Sequence, residues 1–270
     1  MTAHTKTQNI LRTEREITDA SCLDQLLARF EPVSLRDLDD VTLQDRVDTK
    51  MLLTFNQLCS ALHQLTDHYH VLKIDGRRMH RYQTLYFDTP DLGFYHQHHN
   101  GKRNRYKVRE RAYVDSGLAF VEVKHKTRPN HTVKHRRQVT DRVADIRGED
   151  SAFVRAHTEG SHQPLLPVLW NTFQRVTLAS VSRRERVTVD YGMHTGRDGD
   201  WVALPGVVVA EVKQPRFSYD SDFLREMRHL GVRPGGFSKY CTGISLLYPE
   251  VKHNNFKPRL LQLDHLMQTG

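Results

Sequence analysis

The triplet Glu-Val-Lys occurs twice, at Glu122–Lys124 and at Glu211–Lys213. In an extended strand the first and third residues of a triplet project from the same face. Each triplet therefore sets a carboxylate beside an ammonium. That pairing suits a metal-bridged phosphate, because the carboxylate can hold a hard cation while the lysine holds phosphoryl oxygens. The first triplet lies in a region of concentrated positive charge. Gly101 to Arg137 carries twelve Lys or Arg against three acids, a net +9 that exceeds the +8 of the whole 270-residue chain. A field gathered this tightly points to a polyanion: nucleic acid, an anionic membrane or a phosphate-rich small molecule.

The elements that must position these charges read as strands. Met79–Phe87, Arg105–Tyr113, Leu118–Lys126 and His131–Val139 alternate with a period of two, and Val168–Leu178, Arg184–Tyr191 and Val207–Lys213 follow later. On the second of these, Lys107, Arg109 and Arg111 share a face, with Tyr106, Val108 and Ala112 opposite. Phe120, Glu122, Lys124 and Lys126 share a face of the next, and Lys134 and Arg136 share one of the third. Arg184 and Arg186 oppose Val187 and Val189, while Glu211 and Lys213 oppose Val208, Ala210 and Val212. A one-sided sheet with charges facing water alternates in the same way. Three consecutive basic strands, however, set like charges side by side and repel. A bound polyanion would offset that repulsion.

Helical spacing marks Ser21–Phe30, a segment from Thr54 through Leu65 with Thr54 as its cap, Asp141–His157, and a helix that begins at Asp220 or Ser221 and stops at Gly231. Two short helical stretches finish the chain. Residues 1–20 are polar and aperiodic, and read as a loose tail. No linker or repeat divides the remainder. The simplest architecture is α+β: one antiparallel β-rich domain with peripheral helices.

Composition excludes several classes. With 38% hydrophobic and 27% charged residues, the chain is neither disordered nor membrane-spanning. The opening residues lack the apolar core of a secretory leader, so a cytoplasmic protein is expected. Cys22, Cys59 and Cys241 are too few for a disulfide framework and read as buried structural thiols. The triplet His96, His98 and His99 reads as a solvated loop, since adjacent histidines diverge. Tyr82, Tyr86 and Phe87 read as core, and Asp88–Asp91 as a turn. Gly235-Gly236 lacks the spacing of a phosphate loop and reads as a turn positioning Lys239. Nucleic acid is not expected, because base stacking wants exposed aromatics among the basic residues and those present fall on core-like positions.

A series of landmarks in order over about residues 44–245 resembles the VTC domain, the polyphosphate polymerase domain of the triphosphate tunnel metalloenzyme, or CYTH-like, superfamily. They are Arg46-x-Asp48-x-Lys50, Tyr86–Thr89, Arg109-x-Arg111-x-Tyr113, Phe120–Lys124 and Val133–Arg136, then Phe173-Gln-Arg175, Arg186–Asp190, Glu211–Lys213 and Phe237–Tyr240. The resemblance implies an antiparallel β-barrel of about eight strands forming a charged tunnel, with residues 21–270 as a single domain of this type. It implies transfer of the γ-phosphoryl group of ATP to a growing inorganic polyphosphate chain. The phosphate-binding set carried over is Lys50, Arg109, Arg111, Lys124, Lys134, Arg136, Arg175, Arg186 and Lys239. Within it Lys124, Arg109, Arg111, Arg175 and Arg186 are the catalytic candidates. Glu211 matches the metal-associated carboxylate, with Glu122 as a second candidate, and manganese is expected ahead of magnesium.

The departures also inform. The hydrolytic branch usually opens with Glu-x-Glu-x-Lys, whereas the corresponding start is Arg46-Val-Asp-Thr-Lys50, which favours the polymerase. The tyrosine of the family's Tyr-x-Arg strand is Phe173 here. This chain shows no membrane segment, and a membrane partner stays open. A metal-dependent triphosphatase and a non-catalytic polyphosphate-binding module are the alternatives.

Overall fold

In a computed structural model the described residues are 19–39, 46–128, 131–159 and 163–270. The expected tail therefore lies almost wholly outside them, and residues 19–20 already belong to helix α1, helical over 19–27. Eleven strands form one sheet: β1 (Pro32–Val33), β2 (Val47–Thr54), β3 (Tyr69–Leu72), β4 (His80–Asp88), β5 (Arg105–Tyr113), β6 (Leu118–Arg128), β7 (His131–Val139), β8 (Leu166–Ser180), β9 (Arg186–Arg197), β10 (Asp200–Leu204) and β11 (Val207–Gln214). The main path runs β2-β11-β9-β8-β4-β5-β6-β7 and is antiparallel throughout. Helices α2 (Leu35–Asp39), α3 (Phe55–Gln64), α4 (Gly93–His99), α5 (Gly148–Ala156), α6 (Asp222–His229), α7 (Lys239–Leu247) and α8 (Lys257–Thr269) surround it.

The eight strands of the main path do not close into the expected barrel: among the described residues no ladder joins β7 to β2. Two features account for the gap. The outer edge of β2 is taken by the Pro234–Gly235 segment, which bridges Met51 and donates Gly235 N–H to the Lys50 carbonyl at 2.8 Å. At the other end, β7 is an edge strand studded with Lys134, Arg136 and Arg137, and edge charges discourage further pairing. The sheet nonetheless curls. Helix α7 and the residue before it span the concave side, with Lys107 of β5 donating to Ser238 Oγ at 2.9 Å while Lys239 reaches Asp190 of β9.

The faces follow from strand alternation. On the convex side Met51, Leu53, Val187, Val189, Val208, Ala210 and Val212 pack under α1, α3 and α6, and Val108, Val121 and Val123 pack under α5 and α4. The concave side is not charged throughout, as the sequence led us to expect. Tyr86 and Leu169 lie under α7, and Leu52, Phe173, Val207 and Val209 lie under α8. Gly243 permits the close approach of α7, since a Cβ there would meet Leu169 and Thr195 side-chain atoms at 2.5 Å.

The caps that fix the helix ends are those the sequence marks. Thr54 Oγ1 accepts Gln57 N–H at 3.2 Å and Gln57 Oε1 accepts Thr54 N–H at 2.9 Å, a reciprocal capping box. Ser221 caps α6, and Gly231 ends it with φ +72°. Three readings need correction. The Asp141–His157 segment is helical only over Gly148–Ala156. His96–His99 is not a solvated loop but part of α4, where His99 is buried and bonded to Asn254 at 2.9 Å, and burial pushes His98 down to about 2. Of the thiols, only Cys241 is buried; Cys22 is exposed and Cys59 half-buried, with burial pushing Cys59 up to about 12.

Candidate functional site

Strand register brings the expected residues together on the concave face. Lys107, Lys124 and Lys134 stand in one row across β5, β6 and β7, and Arg109, Glu122 and Arg136 form the next. Arg111 faces Phe120 in the row after that. From the other side, Arg175 stands opposite Asp190, and Glu211 lies between Thr188 and Lys50. The two groups meet across the hollow, where Glu211 lies close enough to influence Lys124 on β6.

Three carboxylates organise these cations, and each is shared by two of them. Glu122, fully buried, takes Arg109 Nε at 2.8 Å and Nη2 at 2.6 Å on one oxygen and Lys134 on the other. Asp190 is gripped by both arms of Arg175, at 2.6 and 2.7 Å, and also by Lys239. Glu211 holds Lys50 and Lys213, each at 2.5 Å. Burial alone would raise these carboxyls, but the paired cations outweigh it and hold all three below the usual carboxylate range.

The cations outnumber these partners. Arg111 is buried and, among the described residues, contacts no carboxylate, only Thr84 Oγ1 at 3.5 Å and the faces of Tyr82 and Phe173. Burial and the neighbouring Arg109 guanidinium push its pKa down. Lys124 is pushed well down, first by Arg109, then by burial and Arg111. Burial brings Lys213 down to about 8. Depressed lysines in a hollow mark a place where positive charge is crowded.

One expected residue stands apart from this cluster. Arg136 is exposed on the edge strand and packs over the Phe120 ring at 5.0 Å. Arg186, by contrast, begins β9 directly opposite Lys213, one of the two cations paired with Glu211. Sequence reasoning left other participants out of the set. Lys213 was visible as the lysine of the second Glu-Val-Lys, and Asp190 shares the alternation of Arg186 and Thr188. Tyr82 and Tyr86 are not simple core residues, since they face Arg175 at 4.9 Å and Arg109 Nη1 at 3.5 Å. Asp88 is structural: it accepts Phe94 and Tyr95 N–H at the start of α4 and the Tyr240 hydroxyl from α7.

Can these residues hold a divalent cation? Among the described residues no group of three His, Cys, Asp or Glu is arranged for a metal. Glu211 alone offers a partly open carboxylate whose oxygens already attract two positive charges, whereas both Glu122 oxygens are enclosed. Magnesium-type ions bind through one or two carboxylates with substrate phosphates and water completing the shell. The donor set fits that mode, and Glu211 would be its protein ligand.

A family model described as the VTC domain matches residues 45–248, well over half of the chain. The chain belongs to the VTC domain family. The match covers every expected site residue from Lys50 to Lys239. No curated protein matches the chain. Among solved structures, this VTC domain is similar to a Hippeastrum protein described as an adenylyl cyclase with a dominant triphosphatase activity, at 13% identity over 74% of this chain and 95% of that one, with a TM-score of 0.48. It is also similar to an adenylate cyclase-like protein of Bacillus halodurans, at 12% identity over 76% and 100%, with a TM-score of 0.47. A Pyrococcus horikoshii protein gives 12% identity over 72% and 96%, with a TM-score of 0.39. No helix among the described residues is long and apolar enough to cross a membrane.

Proposed function

We propose that the concave site binds a triphosphate and transfers the terminal phosphoryl group of ATP to a growing polyphosphate chain. One observation carries the reading: Glu122, Asp190 and Glu211 are each already shared by two cations, and Arg111 and Lys124 stand beside them with no carboxylate of their own among the described residues. Phosphoryl transfer asks a protein mainly for positioning and charge neutralisation, and this arrangement supplies both. Arg109, Arg111 and Arg175 bring planar forks suited to non-bridging oxygens, while Lys50, Lys124, Lys134, Lys213 and Lys239 add movable point charges. Arg136, on the exposed edge strand, lies further out, where it can meet the end of a longer chain. A divalent ion held by Glu211 would neutralise phosphate charge and polarise the transferred group.

The same carboxylates weigh against the triphosphatase. Glu122, Asp190 and Glu211 are all paired with cations that lower their pKa, which makes each a weak base towards water. The binding-module alternative would have no need of Glu211. Incubation with ATP and manganese, and separately magnesium, tests the choice. A ladder of polyphosphate with matching ADP supports the polymerase. Free phosphate without chains supports the triphosphatase, and tight tripolyphosphate binding with no turnover supports the binding module.

A further inference from the structure

Away from the hollow, two connections come together at one end of the sheet. Residues 181–185 join β8 to β9, and residues 215–221 join β11 to α6. Glu185 ties them to each other. It is 2% exposed, and its carboxylate accepts the Gln214 amide at 2.8 Å and the Ser221 hydroxyl at 2.9 Å. Gln214 in turn holds the second connection by its backbone, donating to the Ser218 carbonyl at 3.2 Å and accepting Ser218 N–H at 3.3 Å. The tips so fixed carry apolar side chains in water: Val181, Phe217 and Tyr219 are 55%, 42% and 66% exposed. Arg183, Arg184 and Arg216 are exposed on the same two connections, and Arg228 of α6 lies over the Tyr219 ring at 5.3 Å. Among the described residues none of these four arginines pairs with a carboxylate. Asp220 is the one exposed acid of the two connections.

Exposed apolar groups set among unpaired arginines suit two kinds of anionic surface, a lipid bilayer and a single-stranded nucleic acid. Ring geometry separates them. Phe217 and Tyr219 meet edge-on, with centroids 4.6 Å apart and planes at 85°, so they cannot both offer faces to successive parallel bases. Acyl chains ask for no common orientation. Val181 has no face to stack on, and it too suits lipid. We infer that this end of the sheet docks on an anionic membrane, with Val181, Phe217 and Tyr219 entering the interface and the arginines meeting anionic headgroups. Because Glu185 and Gln214 already hold the tips in place, docking costs little ordering. The inference is independent of the triphosphate reading, since none of these residues belongs to the concave clusters.

Co-sedimentation of the full chain with vesicles tests it. The protein should bind vesicles of phosphatidylglycerol and phosphatidylcholine in equal parts, less so as salt rises, and should not bind phosphatidylcholine alone. Arg183→Ser combined with Arg184→Ser should weaken binding about tenfold or more, the scale of two charges at the membrane surface. Phe217→Ser combined with Tyr219→Ser should weaken it about tenfold, through lost apolar burial. Thermal melting and tripolyphosphate affinity should be unchanged in both, which shows that the variants have folded. As an independent readout, Phe217→Trp should add an emission component, absent from wild-type protein, that shifts to the blue on these vesicles and is quenched by brominated acyl chains. No binding to the anionic vesicles, equal binding to neutral ones, or binding that survives both double variants would overturn the inference. Single-stranded RNA bound in preference to vesicles, and lost in the same variants, would reassign the patch and overturn it too.

Discussion

The two faces of the sheet treat buried carboxylates differently. On the convex side Glu185 is held by neutral donors alone, accepting from the Tyr69 hydroxyl at 2.5 Å, the Ser221 hydroxyl at 2.9 Å and the Gln214 amide at 2.8 Å. Glu110, also buried there, pairs with one cation, Arg142. On the concave side Glu122, Asp190 and Glu211 are each shared by two cations. A charge balanced within the fold supports the fold, as at Glu110. A cluster left in positive excess lowers stability, because burial without a counter-charge is unfavourable, and it is completed only by an anion from outside. The difference separates structural ion pairs from ligand-directed ones.

The sharpest way to break this comparison is Glu211→Gln. If Glu211 carries the metal, turnover should fall by at least about 100-fold. Metal-free tripolyphosphate binding should tighten, because Lys50 and Lys213 are freed. Normal turnover would remove Glu211 from the metal role.

The next two substitutions sharpen the contrast within the concave face. Arg109→Ala strands Glu122 with Lys134 alone, so it should cost about 3–5 kcal/mol of stability in denaturant unfolding as well as phosphate affinity. Arg111→Ala removes a cation with no carboxylate to strand. It should weaken tripolyphosphate by about 10- to 100-fold, the worth of one or two charge-assisted hydrogen bonds, while the melting temperature holds or rises. A parallel drop in stability for both variants would contradict the distinction.

Arg142→Ala is the convex counterpart. It unpairs the buried Glu110 and should lower stability by about 1–3 kcal/mol, an allowance reduced because Arg142 is itself 44% exposed. Tripolyphosphate affinity should not change. The smallest effect is on pH. Lys213 loses its charge in the folded protein near pH 8, against 10.5 ordinarily, so affinity measured calorimetrically should fall several-fold between pH 7 and pH 9. Its contribution to stability has the opposite sign. Between about pH 8 and 10.5 the unfolded chain binds the extra proton, so stability from this group rises with pH.

Much of the site was legible in the strand alternation. The period of two assigned Arg109, Arg111, Lys124 and Glu211 to charged faces, and the register kept them there. What alternation cannot give is which strands meet across a curved sheet. Asp190 and Arg175 lie 15 residues apart in sequence, and only the β8–β9 register makes them a bidentate pair. The open edge was equally hidden, because covering β2 depends on Pro234 and Gly235, far along the chain. Tyr82 does pack against the core with Phe173, as its alternation indicates; what alternation does not show is that the Arg111 and Arg175 guanidiniums lie over its ring. His98 and His99 were misread because nothing in their local spacing marks Tyr106 and Asn254 as the groups that enclose them.

The central claim is that the concave excess of positive charge is completed by a bound polyphosphate. A crystal structure with tripolyphosphate tests it most directly. The expected result places phosphoryl oxygens in hydrogen-bond contact with Arg111 and Lys124, concave cations that have no carboxylate of their own among the described residues. Tripolyphosphate bound only on the convex face, or only at exposed lysines outside the hollow, would contradict it.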